Sequence, residues 1–284
     1  MRDERETMKN TENNKEDRIG STDLLCDSVI CGDNVTVMRE WPDECIDLVV
    51  TSPPYDNLRT YGGHEWDFEG IAEQLTRCLK PGGVIVWVVA DATVNGSETL
   101  TSMRQAIHFK DVCGLNVHDT MIYQKNSFMP MAHNRYEQCW EYMIVISKGS
   151  PKSWNPIMRP SVTSNTMRFR GGSKQAETSY SERRRNERTR VKDVKQSPNL
   201  FTYDVGKNEK SLHNAPFPLG LASDHIQSWG NPGDIVLDPF AGSGTTLKAA
   251  KELNRRYIGI EINPEYVEIC NNRTAQEVLP LFTA

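Results

Sequence analysis

The sequence predicts a doubly wound α/β fold: a mostly parallel sheet, helices on both faces, and one inserted polar region. Three observations predict it. Short apolar runs of strand length alternate with helix-length amphipathic segments, the pattern of βαβ units. The runs are apolar at consecutive positions, as strands buried on both faces require. The alternation also stops between residues 149 and 211 and then resumes.

Taken in order, residues 28–32 (SVICG) and 46–50 (IDLVV) read as strands, and NVTVMREWPDE between them as a short helix ending before Pro42. IAEQLTRCL (71–79) reads as a helix stopped by Lys80-Pro81-Gly82-Gly83, followed by a buried strand VIVWVV (84–89). Residues 99–113 read as a helix, and 119–124 (DTMIYQ) and 141–147 (EYMIVIS) as strands. Trp87, Trp140 and Met143 read as core. From 149 to 211 Ser, Thr, Asn, Gly and Arg dominate, over a span too long for an ordinary connection. PFPLGLASDHIQSW (216–229) resumes as an amphipathic helix. DIVLDPFAGSGTT (234–246), the helix LKAAKEL, the strand RYIGIEI (256–262) and a last helix from Pro264 follow. This divides the chain into a disordered polar leader (1–20), a first half (21–148), the insertion (149–211) and a second half (212–284).

Composition narrows the function. No apolar run approaches the roughly 20 residues a membrane span needs, and MRDERETMKNTENNKEDR has no apolar core of a secretory signal. The seven cysteines are scattered without a CxxC pair, which disfavours a zinc site and suits a reducing cytoplasm. Net charge is −5, yet Lys148 to Lys195 holds thirteen Lys/Arg against four Asp/Glu, or +9, which leaves −14 for the rest. A basic block in an acidic chain suits either a polyanion partner or a solvated loop.

VLDPFAGSGTT joins a strand to a helix through Gly242 and Gly244, which let backbone pass close to a ligand. A phosphate-binding P-loop would need a lysine that is absent here. A dinucleotide fingerprint would need a third glycine where Leu247 stands. A nucleoside cofactor without a phosphate chain fits better. Glu261, seventeen residues beyond Gly244 at the end of the next strand, suits ribose hydroxyls, and Asp238 suits a cationic ligand group. The other notable turn is TSPPY (51–55), which ends a buried strand with a hydroxyl, two prolines and an aromatic ring.

These stretches together resemble a family, the S-adenosylmethionine-dependent DNA amino-methyltransferases that act on cytosine N4 or adenine N6. DPFAGSGTT resembles their cofactor motif, which implies cofactor binding by Asp238, Pro239, Phe240, Ala241, Gly242, Ser243, Gly244 and Thr245. YIGIEINPEYVEI (257–269) resembles the ribose-binding strand, with Glu261 and Ile262. HNAPFPLGLASDHI (213–226) resembles the segment over the methionine part of the cofactor, with His213 and Pro216. CGDNVTVMREWPDECIDLVVTSPPY (31–55) resembles the family's opening, with Asp33 near the adenine and the catalytic motif at Ser52, Pro53, Pro54 and Tyr55. The catalytic motif precedes the glycine motif, with the insertion between. That order resembles the circularly permuted β-class, a Rossmann-like methyltransferase fold whose insertion recognises the target.

The resemblance implies double-stranded DNA as partner. It also admits a restriction endonuclease of the same system and a homodimer, in a nucleoid-associated, cytoplasmic setting. It requires no metal. Arg168, Arg170, Arg183, Arg184, Arg185, Arg188 and Arg190 are the expected DNA contacts, mostly to phosphates.

The chemistry agrees. An exocyclic amine is a poor nucleophile because its lone pair is delocalised into the ring. Acceptors such as Ser52 Oγ and the Pro53 carbonyl, held rigid by proline, favour a tetrahedral nitrogen. Tyr55 would stack on a flipped base. Methylation at cytosine C5 uses a nucleophilic cysteine, typically after proline, and no Pro-Cys occurs. Serine in first place resembles the cytosine-N4 enzymes; adenine N6 is the alternative, and a DNA-binding module whose catalysis has decayed is disfavoured by the intact Ser52, Tyr55, Asp238 and Glu261.

Overall fold

Strand β2 (Ile46–Thr51) is buried at every position, as a central strand covered on both faces must be. The computed structural model describes residues 24–54, 66–126, 134–161, 167–169, 188–190, 193–203 and 218–275. Around β2 lie β1 (Ser28–Cys31) and β3 (Leu79–Val89), then β6 (Asn116–Lys125) and β7 (Trp140–Ser147). The small hairpin β4 (Thr93–Val94) and β5 (Ser97–Glu98) precedes β6. Strands β8 (Met158–Pro160), β9 (Met167–Phe169), β10 (Arg188–Arg190), β11 (Val194–Gln196) and β12 (Leu200–Tyr203) follow β7. Late in the chain come β13 (Ile235–Asp238) and β14 (Arg256–Glu261).

The main sheet has eight strands in the order β1-β14-β13-β2-β3-β7-β6-β12. Only β7 opposes the common direction; it is antiparallel to both β3 and β6.

Helices α1 (Asn34–Arg39), α2 (Phe68–Cys78) and α3 (Thr101–Asp111) cover one face. Helices α4 (Leu219–Trp229), α5 (Thr245–Glu252) and α6 (Pro264–Ala275) cover the other. Strand alternation divides the core accordingly. Val84, Val86 and Val88 pack with α4 and α5, while Ile85, Trp87 and Val89 pack with α2 and α3. The ends of α1 and α2 follow local chemistry: Asp33 caps α1 by accepting from Thr36 N–H at 2.8 Å, and Asp67 caps α2 by accepting from Gly70 N–H at 2.9 Å.

The doubly wound, mostly parallel sheet is as the sequence predicts, and three details differ. Lys80-Pro81-Gly82-Gly83 does not stand between helix and strand. It belongs to an irregular start of β3, where Leu79 pairs with Ile46 and the register slips before Val84 meets Leu48. Such a slip tolerates a proline that donates no ladder bond. Trp140 is half-buried rather than core, its ring 4.7 Å from Tyr142, whereas Trp87 and Met143 are fully buried.

Within the described parts of 149–211 short strands form where the apolar pattern predicts none. β8 pairs with β11 and, nested inside them in sequence, β9 pairs with β10, all antiparallel. Arg168 stands opposite Thr189, and Arg188 and Arg190 stand opposite Phe169 and Met167. β12 joins the main sheet beside β6. Residues just after β7 also dock on the body: Lys152 pairs with the buried Asp47, and Trp154 packs on Trp229 at 4.6 Å.

Candidate active site

Strand order reverses between β13 and β2. From β2 the chain passes to β3 on one side, and from β13 to β14 on the other. In open α/β sheets, ligands occupy the crevice beyond the carboxyl ends at such a switch point. Both sequence motifs fall there. Ser52-Pro53-Pro54 leaves the end of β2, with Pro53 buried and its neighbours half-buried. Asp238-Pro239-Phe240 leaves the adjacent end of β13. The two strands pair at Leu48↔Val236 and Val49↔Leu237, where the main-chain ladder ends. Beyond it the two strand ends are joined by side chains, Thr51 Oγ1 donating to Asp238 Oδ1 at 2.7 Å.

The glycine turn is tied on three sides. Gly242 N–H donates to Glu261 Oε2 at 2.8 Å, and Ala241 N–H to the Ile260 carbonyl at 3.0 Å. Asn34 Nδ2 donates to the Pro239 carbonyl at 2.9 Å, which joins the start of α1 to the turn. Arg273 of α6 donates to Ser243 Oγ and Thr245 Oγ1, both at 3.2 Å. Gly242 and Gly244 both have positive φ, 51° and 80°. At Gly244 the missing side chain serves packing: a Cβ there would stand 2.5 Å from Cys270 Sγ.

Asp238 is 2% exposed. Its Oδ1 accepts from the Thr51 hydroxyl at 2.7 Å and from Phe240 N–H at 3.1 Å. Burial pushes its pKa up to about 6 despite these donors, and Glu261 adds to the rise. Both of these bonds fall on Oδ1 and are made within the protein. Glu261 also accepts from Asn263 N–H, at 2.9 Å on Oε1. Each of its oxygens keeps a lone pair for a ribose hydroxyl. Asp33 is exposed and holds Thr36; Ile262 is 43% exposed at the same sheet edge. Phe240 packs edge-on to Trp66 at 5.5 Å.

Tyr55, His213, Pro216, Arg170, Arg183, Arg184 and Arg185 lie outside the described residues. Sequence reasoning missed Thr51, Thr246, Asn34 and Arg273. A signal for Thr51 existed: a hydroxyl at a buried position of an otherwise apolar strand needs a partner. Among the described residues, no group of three or more His, Cys, Asp or Glu gathers to hold a metal ion, and no helix is long and apolar enough to cross a membrane.

Residues 46–272 match the N6/N4 methyltransferase family, described as DNA methylase. The chain belongs to this family. It is 44% identical over 254 residues to the orphan methyltransferase M.BamHII of Bacillus amyloliquefaciens, covering 85% of this chain and 94% of that one. It is 27% identical over 258 residues to the DNA adenine methyltransferase YhdJ of Escherichia coli, covering 85% and 80%. Among solved structures it resembles the cytosine-N4-specific PvuII DNA methyltransferase in fold, with a TM-score of 0.65 at 22% identity over 89% of this chain and 87% of that one. It also resembles M1.HpyAVI in complex with SAM, with a TM-score of 0.58 at 25% identity over 88% and 99%. This DNA methyltransferase uses S-adenosylmethionine. Its glycine turn, helix N-terminus and carboxylate at the end of β14 fit a nucleoside cofactor without a phosphate chain.

Proposed function

We propose that this methyltransferase modifies the exocyclic N4 amine of cytosine in double-stranded DNA. The observation that carries the reading is the adjacency of Ser52-Pro53 and Asp238-Pro239 at the open ends of β2 and β13. On this reading an amine clamp lies beside a cofactor turn. Asp238 to Thr245 hold the cofactor together with Glu261, Ile262, Asp33, His213 and Pro216. When bound, the cofactor supplies a methyl group activated by a sulfonium. Ser52 Oγ and the Pro53 carbonyl accept the amine's hydrogens and turn its lone pair toward that methyl. Tyr55 stacks on the flipped base. The arginines of the nested ribbons and of the sequence between them neutralise phosphates. Serine in first place of the motif supports cytosine. The adenine-N6 reading is favoured by the likeness to the E. coli adenine enzyme.

The test is to express the chain in a host lacking modified bases, digest its DNA to nucleosides, and identify the methylated base by mass spectrometry. A Ser52→Ala control accompanies it. N4-methylcytosine that vanishes in the control is the expected result. N6-methyladenine would transfer the reading to adenine with the clamp unchanged, and no methylated base would remove it.

A further inference from the structure

The main-chain ladder between β2 and β13 ends at Val49↔Leu237, yet the reacting groups must come together beyond it. Past that point a side-chain pair takes over. Thr51 Oγ1 donates to Asp238 Oδ1 at 2.7 Å, and the two residues are 0% and 2% exposed. The same oxygen takes the Phe240 N–H at 3.1 Å, which fixes the first residues of the turn. From α5, the Thr246 hydroxyl reaches back to the Val50 carbonyl at 3.1 Å. Ser52 follows Thr51 directly, and Pro239 follows Asp238.

We infer that Thr51 is a positioning residue: its hydrogen bond to Asp238 sets the width of the crevice and so the separation of the amine clamp from the cofactor turn. The inference rests on the reading of Ser52-Pro53 as the clamp. A buried hydroxyl–carboxylate bond is short and charge-assisted, and valine has the same shape without the donor. Its loss frees the two strand ends where alignment matters most. Misplacing reacting groups by about 1 Å costs on the order of 100-fold in rate.

The titratable groups facing Asp238 are Glu261 of β14 and Cys270 of α6; the other groups against it are the neutral hydroxyls of Thr51 and Thr246 and the Phe240 N–H. Burial lifts its carboxyl to about 6, and Thr51 holds it lower than burial alone would. Protonation weakens the latch, so turnover has an acid limb near that pH. Removing the Thr51 donor moves the limb upward.

The experiment compares native chain, Thr51→Val and Thr51→Ser. It measures methyl transfer to duplex DNA from pH 5 to 9, and cofactor affinity by calorimetry. Thr51→Val is expected to bind S-adenosylmethionine within ~3-fold of native, to lose roughly 10- to 100-fold in kcat, and to show its acid limb about half a unit or more higher. Thr51→Ser keeps the donor and is expected to stay within ~5-fold of native with the limb in place. A Thr51→Val enzyme that is slower at all pH values alike, or a Thr51→Ser enzyme as impaired as Thr51→Val, would overturn the inference. The serine variant decides the matter even if the valine variant does not fold. Absence of transfer by the native chain would sink the underlying reading instead, before any variant is compared.

Discussion

Replacing Gly244 by alanine tests whether the second glycine of the turn is there for the cofactor or for the fold. The new Cβ would stand 2.5 Å from Cys270 Sγ, but 3.4 Å from the Cα and Cβ of the same residue, so the sulfur alone carries the clash. Gly244 also has φ 80°, where an L side chain costs about 1–2 kcal/mol. Relieving the overlap in a packed core costs a further ~1–3 kcal/mol. The single variant is therefore expected to lose about 2–5 kcal/mol in urea denaturation with the m-value unchanged. Gly244→Ala with Cys270→Ala should recover the packing part and keep only the backbone part, a favourable coupling of about 1–3 kcal/mol between neighbours. The reasoning fails if Gly244→Ala unfolds within ~0.5 kcal/mol of native, or if the two substitutions simply add. A variant that keeps its stability and loses cofactor affinity would return Gly244 to the ligand.

Three more expectations follow. On the proposed role of Tyr55 as the shelf for the flipped base, Tyr55→Ala should leave cofactor binding intact and cut turnover by at least ~100-fold, read by calorimetry and methyl-transfer rate. His225 is fully buried with its ring nitrogen 3.2 Å from Met143 Sδ, and burial lowers its pKa to about 4. Its unfolded value is about 6.5, so its contribution to stability is present above that pH and is lost as pH falls toward 4. His225→Gln should flatten the acid decline by up to about 3 kcal/mol in urea midpoints taken across that window. Arg77 donates to the Met38 and Trp41 carbonyls at 2.5 and 2.6 Å and to Asp43 at 2.7 Å, tying α2 to the end of α1. Arg77→Ala should cost about 2–3 kcal/mol in the same assay, and lysine, lacking the planar fork, should not restore it.

Much of the fold was legible because its signals are local. IDLVV, apolar but for Asp47, and VIVWVV, apolar throughout, mark strands covered on both faces. Both motifs at the crevice were visible as strand ends followed by prolines or glycines. What was hidden depends on distant partners. Nothing near Gly244 names Cys270, and nothing near Thr51 names Asp238, 187 residues away in the chain. LFTY at 200–203 is short and polar-flanked, and reads as loop until β6 offers it an edge. The irregular start of β3 has the same origin: Pro81 and Gly82 look like breakers, yet Gly82 N–H donates to the Lys148 carbonyl across the sheet.

The pairing of β1 with β14 bears on how the chain is made. Ser28 meets Ile258 and Cys31 meets Glu261, so one edge of the sheet joins an early strand to one of the last. During synthesis β1 and the β13-facing side of β2 emerge long before their partners and must wait unpaired. Such long-range closure slows folding and exposes strand edges meanwhile. A nascent chain halted before residue 256 holds Ser52-Pro53 but lacks Glu261 and the strand that anchors β1. Assembly of the crevice thus waits for β14, which is made long after β2.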